Sequence, residues 1–272
     1  MRATASTIRR FHELHEAGTL LLPNAWDAGS ARLIEECGAA AIATTSAGLA
    51  WSCGYPDGNV LPARALSAAV EAIARVISVP LTVDAEAGYS AEASEVAARI
   101  SAVIDAGAVG VNLEDGSAPA GALCAKIEAA KGAAARAGVD LFVNARTDVY
   151  LRELVVPDRM VAEVIERARQ YRAAGCDGIF VPGLADAGAI AEIVPAISAP
   201  LNLMLVPKLP PVAELTRLGV RRVSAGSGVA QTAYGAARRS VQQFLREGRY
   251  EATFDIAANY SELNRLFKPD AD

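Results

Sequence analysis

Five times in this chain a helix-patterned stretch ends at glycine and passes at once into an apolar, β-rich run, and that repeat limits what the chain can fold into. The junctions are Cys37-Gly38 before AAAIATT, Ala106-Gly107 before AVGVNLE, Ala137-Gly138 before VDLFVNA, Ala174-Gly175 before CDGIFVP and Leu218-Gly219 before VRRVSAG. Glycine just past a helix adopts positive φ without steric cost, which stops the helix and turns the chain back toward a sheet. The runs LLLPN (20–24), PLTVDA (80–85) and PLNLML (200–205) bring the predicted strands to eight. They read as continuously apolar rather than alternating, the pattern of parallel strands covered on both faces. Eight alternating β and α units in 272 residues predict a single (β/α)8 TIM-type barrel over 1–272. An open Rossmann sheet is the competing arrangement, but no GxGxxG follows the first strand.

Composition narrows the function. The net charge of −5 argues against a nucleic-acid partner. No apolar run reaches the ~18 residues of a membrane span, and the basic N-terminal stretch lacks a signal-peptide core, so a cytoplasmic location is expected. The four cysteines (Cys37, Cys53, Cys124, Cys176) form no CxxC pair and are expected to be reduced, buried thiols. Both histidines, His12 and His15, fall in the N-terminal helix, away from every strand end. Zinc–histidine sites and Ser–His–Asp triads are thereby excluded.

In a barrel the C-terminal strand ends face the active site. Here they carry Ser46, Asp84, Glu86, Glu114, Asp115, Asn144, Arg146, Asp148, Asn202 and Ser224. Asp115 and Asp148 fit a helix cap as well as a site role. Asp84, Glu86 and Glu114 lie within or against apolar strand runs, where capping does not explain them. Gathering such carboxylates costs desolvation and repulsion that a cation must offset. Oxygen-only ligands select a hard ion, Mg²⁺ with Mn²⁺ as the alternative; a metal-free ion-pair network with Arg146 is the competing explanation. The Arg146 fork suits a substrate carboxylate. Ser46, with the amides of Ala47 and Gly48, is expected to form a turn cradling the other end of an anion.

Together, LLPNAWDAGSARLIEECG, TTSAGLAWSCGYPDG, VDAEAGY, GVNLEDG, NARTD and PLNLM resemble, in order and spacing along most of the chain, the isocitrate lyase/phosphoenolpyruvate mutase superfamily. The resemblance implies a Mg²⁺-dependent barrel acting on C–C or P–C bonds beside a 2-oxo or 2-hydroxy acid through an enolate-type intermediate. It maps the metal acids onto Asp57, Asp84, Glu86 and Glu114, several acting through water, and substrate binding onto Ser46, Ala47 and Arg146. It also implies a homo-oligomer, dimer or tetramer, with a final helix near 225–247 swapped between subunits. Two departures stand out. Glu86 replaces the second aspartate of DxDxGY, and the stretch after Glu114-Asp115, GSAPAGALCAKIEAAK, lacks the superfamily's Lys/Arg-Cys-Gly-His or Lys-bearing loop. Cys124 there is expected to be buried rather than catalytic.

The expected activity is a metal-dependent lyase or decarboxylase on a small 2-oxo or 2-hydroxy dicarboxylate, because CO₂ leaves without a protein proton donor. In that scheme Arg146, Ser46 and Asn202 hold substrate, and Tyr89 or a metal-bound water protonates the enolate. Phosphonopyruvate P–C chemistry is the first alternative; it needs a cation over the phosphoryl, for which Lys126, Lys131 and Arg152 are the candidates. A 2-oxo acid binding protein without turnover is the second.

Overall fold

The computed structural model describes residues 3–255 and 257–268. Nine parallel strands follow the order β1-β9-β8-β7-β6-β5-β4-β3-β2. They are β1 (Leu20–Leu22), β2 (Asn24–Ala25), β3 (Ile42–Thr44), β4 (Leu81–Asp84), β5 (Gly110–Glu114), β6 (Phe142–Arg146), β7 (Gly178–Phe180), β8 (Leu201–Met204) and β9 (Arg222–Ser224). β1 and β2 are one strand interrupted at Pro23, which has no N–H to give. β1 pairs with β9 (Leu20↔Arg222) and β2 with β3 (Asn24↔Ala43), so the ring closes through that proline as a (β/α)8 barrel. Every predicted strand is present, and the five junction glycines all have positive φ, from 69° at Gly138 to 116° at Gly107.

The helices are α1 (Ala5–Glu13), α2 (Ala28–Glu36), α3 (Ser46–Ser52), α4 (Ala63–Ala74), α5 (Ala93–Asp105), α6 (Ala120–Ala137), α7 (Met160–Ala173), α8 (Ala187–Ala196), α9 (Val212–Arg217), α10 (Gly228–Glu247), α11 (Glu251–Asp255) and α12 (Tyr260–Leu266). α2 begins at a reciprocal cap in which Asp27 accepts from the Ser30 amide at 2.6 Å and Ser30 Oγ accepts from the Asp27 amide. α1 lies across the N-terminal end of the barrel. Phe11 is fully buried there against Phe142, and the His15 ring stacks on Phe142 at 4.2 Å. Both histidines therefore sit at the end opposite the mouth.

The strands are not uniformly apolar. Val83, Val111, Leu113, Val143, Ala145, Ile179, Leu201, Leu203 and Val223 join the large core under the helices. The residues between them, Thr82, Asp84, Asn112, Glu114, Asn144, Arg146, Asn202, Arg222 and Ser224, alternate onto the other face, because side chains along a strand point to opposite sides. The helix-facing half supplies most of the apolar signal of the sequence; the barrel interior is polar toward the mouth and apolar at its N-terminal end, where Leu20, Leu22 and Phe142 pack with Phe11. Within it Asn144 Nδ2 and Arg222 Nη2 both donate to Asn112 Oδ1, at 3.0 and 3.2 Å, the second reaching from β9 to β5.

Candidate active site

Parallel register sets the mouth. Asp84 on β4 lies beside Asn112 on β5, and Glu114, two residues further along β5, lies beside Arg146 at the end of β6. Arg146 Nη1 meets Glu114 Oε2 at 2.7 Å, while its Nε and Nη2 meet both carboxylate oxygens of Asp148 at 2.7 and 3.2 Å. The guanidinium also lies over the Phe180 ring at 5.9 Å. Three of its five N–H groups are thus committed and two remain. Burial alone would lower the Arg146 pKa, but Glu114 and Asp148 outweigh burial and hold it above the usual arginine value.

The acids respond to crowding. Burial pushes the Glu114 carboxyl up to about 8; Arg146 opposes the shift, and Asp84, Asp148 and Glu86 add to it. Glu86, also buried, is raised chiefly by burial, with Asp57 and Asp84 contributing. Asp57 lies in the exposed loop between α3 and α4, near enough to Glu86 to affect it. Asp84 Oδ2 accepts from the Ser46 amide at 3.3 Å, while Asp84 Oδ1 is buried without a hydrogen-bond partner among the described residues.

Asn59, absent from the residues expected at the site, ties the two acidic segments together. Its amide donates to Glu86 Oε2, and its Oδ1 accepts from the Ala87 and Tyr89 amides at 3.0 and 3.2 Å. The weak signal for it was its place two residues after Asp57 in a glycine-bearing loop.

Other expectations change in detail. Ser46, Ala47 and Gly48 open the helix α3 instead of forming a free turn. Gly48 is required by packing: a Cβ there would lie 2.6 Å from Trp26 Cβ and 2.8 Å from Thr45 Cγ2, with Ala230 of α10 also close at 3.3 Å. Asn202 is buried, its Oδ1 accepting from Ser224 Oγ at 3.3 Å and its Nδ2 without a partner among the described residues. The Tyr89 hydroxyl is buried beside the Glu86 carboxyl, without an acceptor in good hydrogen-bond geometry among the described residues; burial first, then Glu86 and Asp84, raises its pKa. Neither Asp115 nor Asp148 caps a helix. Asp115 accepts from Arg167 at 2.8 Å and Tyr171 at 2.6 Å, and Asp148 joins Arg146 to Arg152.

Of the three cations proposed for a phosphoryl group, Lys131 is paired with Asp177 at 2.7 Å, away from the mouth. Lys126 Nζ donates to Ala87 O of the Glu86 turn at 2.6 Å, and Arg152 Nε meets Asp148 at 2.8 Å, so these two border the mouth. Of the four cysteines expected to be buried, Cys176 is buried and Cys124 half-buried, where burial raises its thiol pKa, but Cys37 and Cys53 are exposed, one capping the end of α2 and the other following α3.

Among the described residues no three acidic, histidine or cysteine side chains converge closely enough to hold a metal ion by themselves. Asp84, with its unpartnered buried oxygen, is suited to direct ligation, and Asp57, Glu86 and Glu114 to contact through water. That donor set fits Mg²⁺, which keeps several waters and takes one or two carboxylates.

The sequence profile of the phosphoenolpyruvate phosphomutase family matches residues 11–245. A crystal structure of a provisionally assigned lyase/mutase from Burkholderia cenocepacia J2315 superposes with a TM-score of 0.88 at 34% identity, covering 98% of this chain and 97% of that one. A provisionally assigned phosphonomutase from the same strain gives a TM-score of 0.83 at 41% identity, covering 88% of this chain and 100% of the other. An oxaloacetate decarboxylase of Ectopseudomonas mendocina (strain ymp) is 30% identical over 237 residues, 80% of this chain and 75% of its own length.

Proposed function

This chain belongs to the phosphoenolpyruvate phosphomutase family, within the isocitrate lyase/phosphoenolpyruvate mutase superfamily, and on that premise we propose that it is a Mg²⁺-dependent decarboxylase or lyase of a small 2-oxo dicarboxylate such as oxaloacetate. The observation that carries this reading is the pairing of an acid cluster around Asp84 with Arg146 beside a short, uncharged segment after Asp115. The similarity to an oxaloacetate decarboxylase supports the same choice of substrate.

In this scheme the two spare N–H groups of Arg146 take a substrate carboxylate, and Ser46 and the Asn202 amide orient the rest. Mg²⁺, when bound, supplies Lewis-acid stabilisation of the charge that develops on the 2-oxo oxygen as the neighbouring C–C bond breaks. CO₂ departs with no proton, and the resulting enolate carbon takes one from Tyr89 or water, giving pyruvate. The phosphonopyruvate alternative has the phosphonomutase similarity and the placing of Lys126 and Arg152 beside the mouth in its favour; against it stand the pairing of Lys131 with Asp177 and the absence of any cation in the segment 116–125. The exposed apolar side chains of α10, among them Val229, Tyr234, Val241, Phe244 and Leu245, favour a homo-oligomer in which this helix packs on a second copy.

The test is incubation of the purified protein with Mg²⁺ and, separately, oxaloacetate, phosphonopyruvate and methylisocitrate. Pyruvate and CO₂ from oxaloacetate above the metal-catalysed background are expected. Release of phosphate from phosphonopyruvate instead would transfer the assignment to P–C chemistry. Ligand-dependent thermal stabilisation with no turnover would favour a binding protein.

A further inference from the structure

The stretch 51–60 is exposed throughout, so burial does not hold it over the mouth. Its first residues hydrogen-bond back to α3, through Cys53, Gly54 and Tyr55. Among the described residues, the hydrogen bonds that carry 56–60 to another element are those of Asn59 to the turn after β4.

Both sides of this contact are strained. Asn59 has φ 62°, Glu86 φ 48° and Tyr89 φ 55°, all in the left-handed region, where a side chain is disfavoured, and Gly58 and Gly88 beside them are left-handed too. Asparagine tolerates that conformation better than most residues, and its carboxamide accepts from backbone amides in turns. The residue thus combines a backbone shape with an acceptor. Its own N–H directs the buried Glu86 carboxylate, and its Oδ1 binds the amides one and three residues after Glu86. It also stands two residues from Asp57, so it fixes one acid and restrains the segment that carries another.

We propose that Asn59 is a positioning residue that fastens the Asp57 loop to the Glu86 turn and so sets the affinity of the mouth for a divalent cation. This rests on the functional reading above, in which those acids surround the metal. Partners standing behind metal ligands typically change affinity by about 10- to 100-fold when removed.

Two substitutions separate the side chain from the backbone conformation. Asn59→Gly keeps the left-handed geometry and deletes the acceptor; Asn59→Asp keeps an acceptor at the same reach. Each full-length protein is titrated with Mn²⁺ by water-proton relaxation, and hydrogen exchange at the Ala87 and Tyr89 amides is followed without metal. Asn59→Gly is expected to bind Mn²⁺ about 10-fold or more weakly and to lose protection at those amides, while Asn59→Asp retains protection and most of the affinity. Unchanged Mn²⁺ binding by Asn59→Gly would overturn the proposal, as would protected amides in that variant. If the parent protein binds no Mn²⁺, the metal reading falls and takes the affinity claim with it. Exchange at the two amides then decides the fastening alone.

Discussion

Two arginines project into the same barrel and are held in opposite ways. Arg146, at the mouth, is gripped by the carboxyl groups of Glu114 and Asp148, with two of its N–H groups unused among the described residues. Arg222, deeper, is wholly buried and has one neutral partner, Asn112; its Nε and Nη1 meet no acceptor among the described residues. Burial lowers the Arg222 pKa to about 9, with Asp84 opposing, and burial together with Arg222 pushes His15 down to about 3. The contrast separates two uses of a buried charge. At the mouth it is paired on two sides; at depth it stands under the acid cluster with little local compensation, a costly arrangement for stability.

The largest expected effect is at the mouth. Asp84→Ala should abolish metal-dependent binding of a 2-oxo acid while the barrel still folds, since it removes the carboxylate with the unpartnered oxygen. Calorimetry with Mg²⁺ and oxalate as an inert probe tests this, and unchanged affinity would sink the site assignment. Next comes Arg146→Met, which leaves Glu114 without its guanidinium and Asp148 held by Arg152 alone, and should cost about 3–5 kcal/mol in urea unfolding. A loss below about 1 kcal/mol would show the pairing to be weakly coupled to the fold.

The third prediction concerns pH. Glu114 is raised in the fold from the ordinary 4.5 to about 8, so the folded state holds a proton that the unfolded state releases. Its contribution is complete below the unfolded value and declines as pH rises through about 8. Metal-free protein should therefore lose stability across that window, and Glu114→Gln should flatten the loss; parallel curves for the two proteins would contradict it.

Arg222→Met carries the comparison to the interior. Replacing a poorly compensated charge with an apolar chain of similar length should leave stability unchanged or raise it by about 1–4 kcal/mol. A large loss would mean that interior waters complete the arginine's bonding. The smallest effect belongs to Tyr89→Phe, which deletes an unpartnered buried hydroxyl and should move stability by about 0.5 kcal/mol or less. A collapse of turnover at unchanged substrate affinity would instead assign Tyr89 the proton transfer.

Much of the mouth was legible because its side chains are chemically out of place. Asp84 and Glu114 interrupt apolar strand runs, and the five junction glycines announce helix ends, so strand number and strand-end residues followed directly. Arg222 was passed over because VRRVSAG gives no sign of which arginine turns inward; only the register opposite Leu20 and Asn202 decides it. Asn59 was invisible for the opposite reason, since its role depends on a contact with residues 27 and more positions later. Ser46–Gly48 was misread as a turn because a small residue that admits a ligand looks the same as one that admits a neighbouring helix. Gly48, pressed by Trp26 and Ala230, is the second kind.

Pro23 marks the place where the beginning and the end of the barrel meet. Beside it Thr19 Oγ1 donates to Val220 O across 201 positions of sequence, so this seam joins the most distant parts of the barrel. Closing it requires the longest loop of any strand pairing, which places it late in folding. Whichever half of the chain folds first must therefore wait for the other before the ring of strand ends at the mouth is complete.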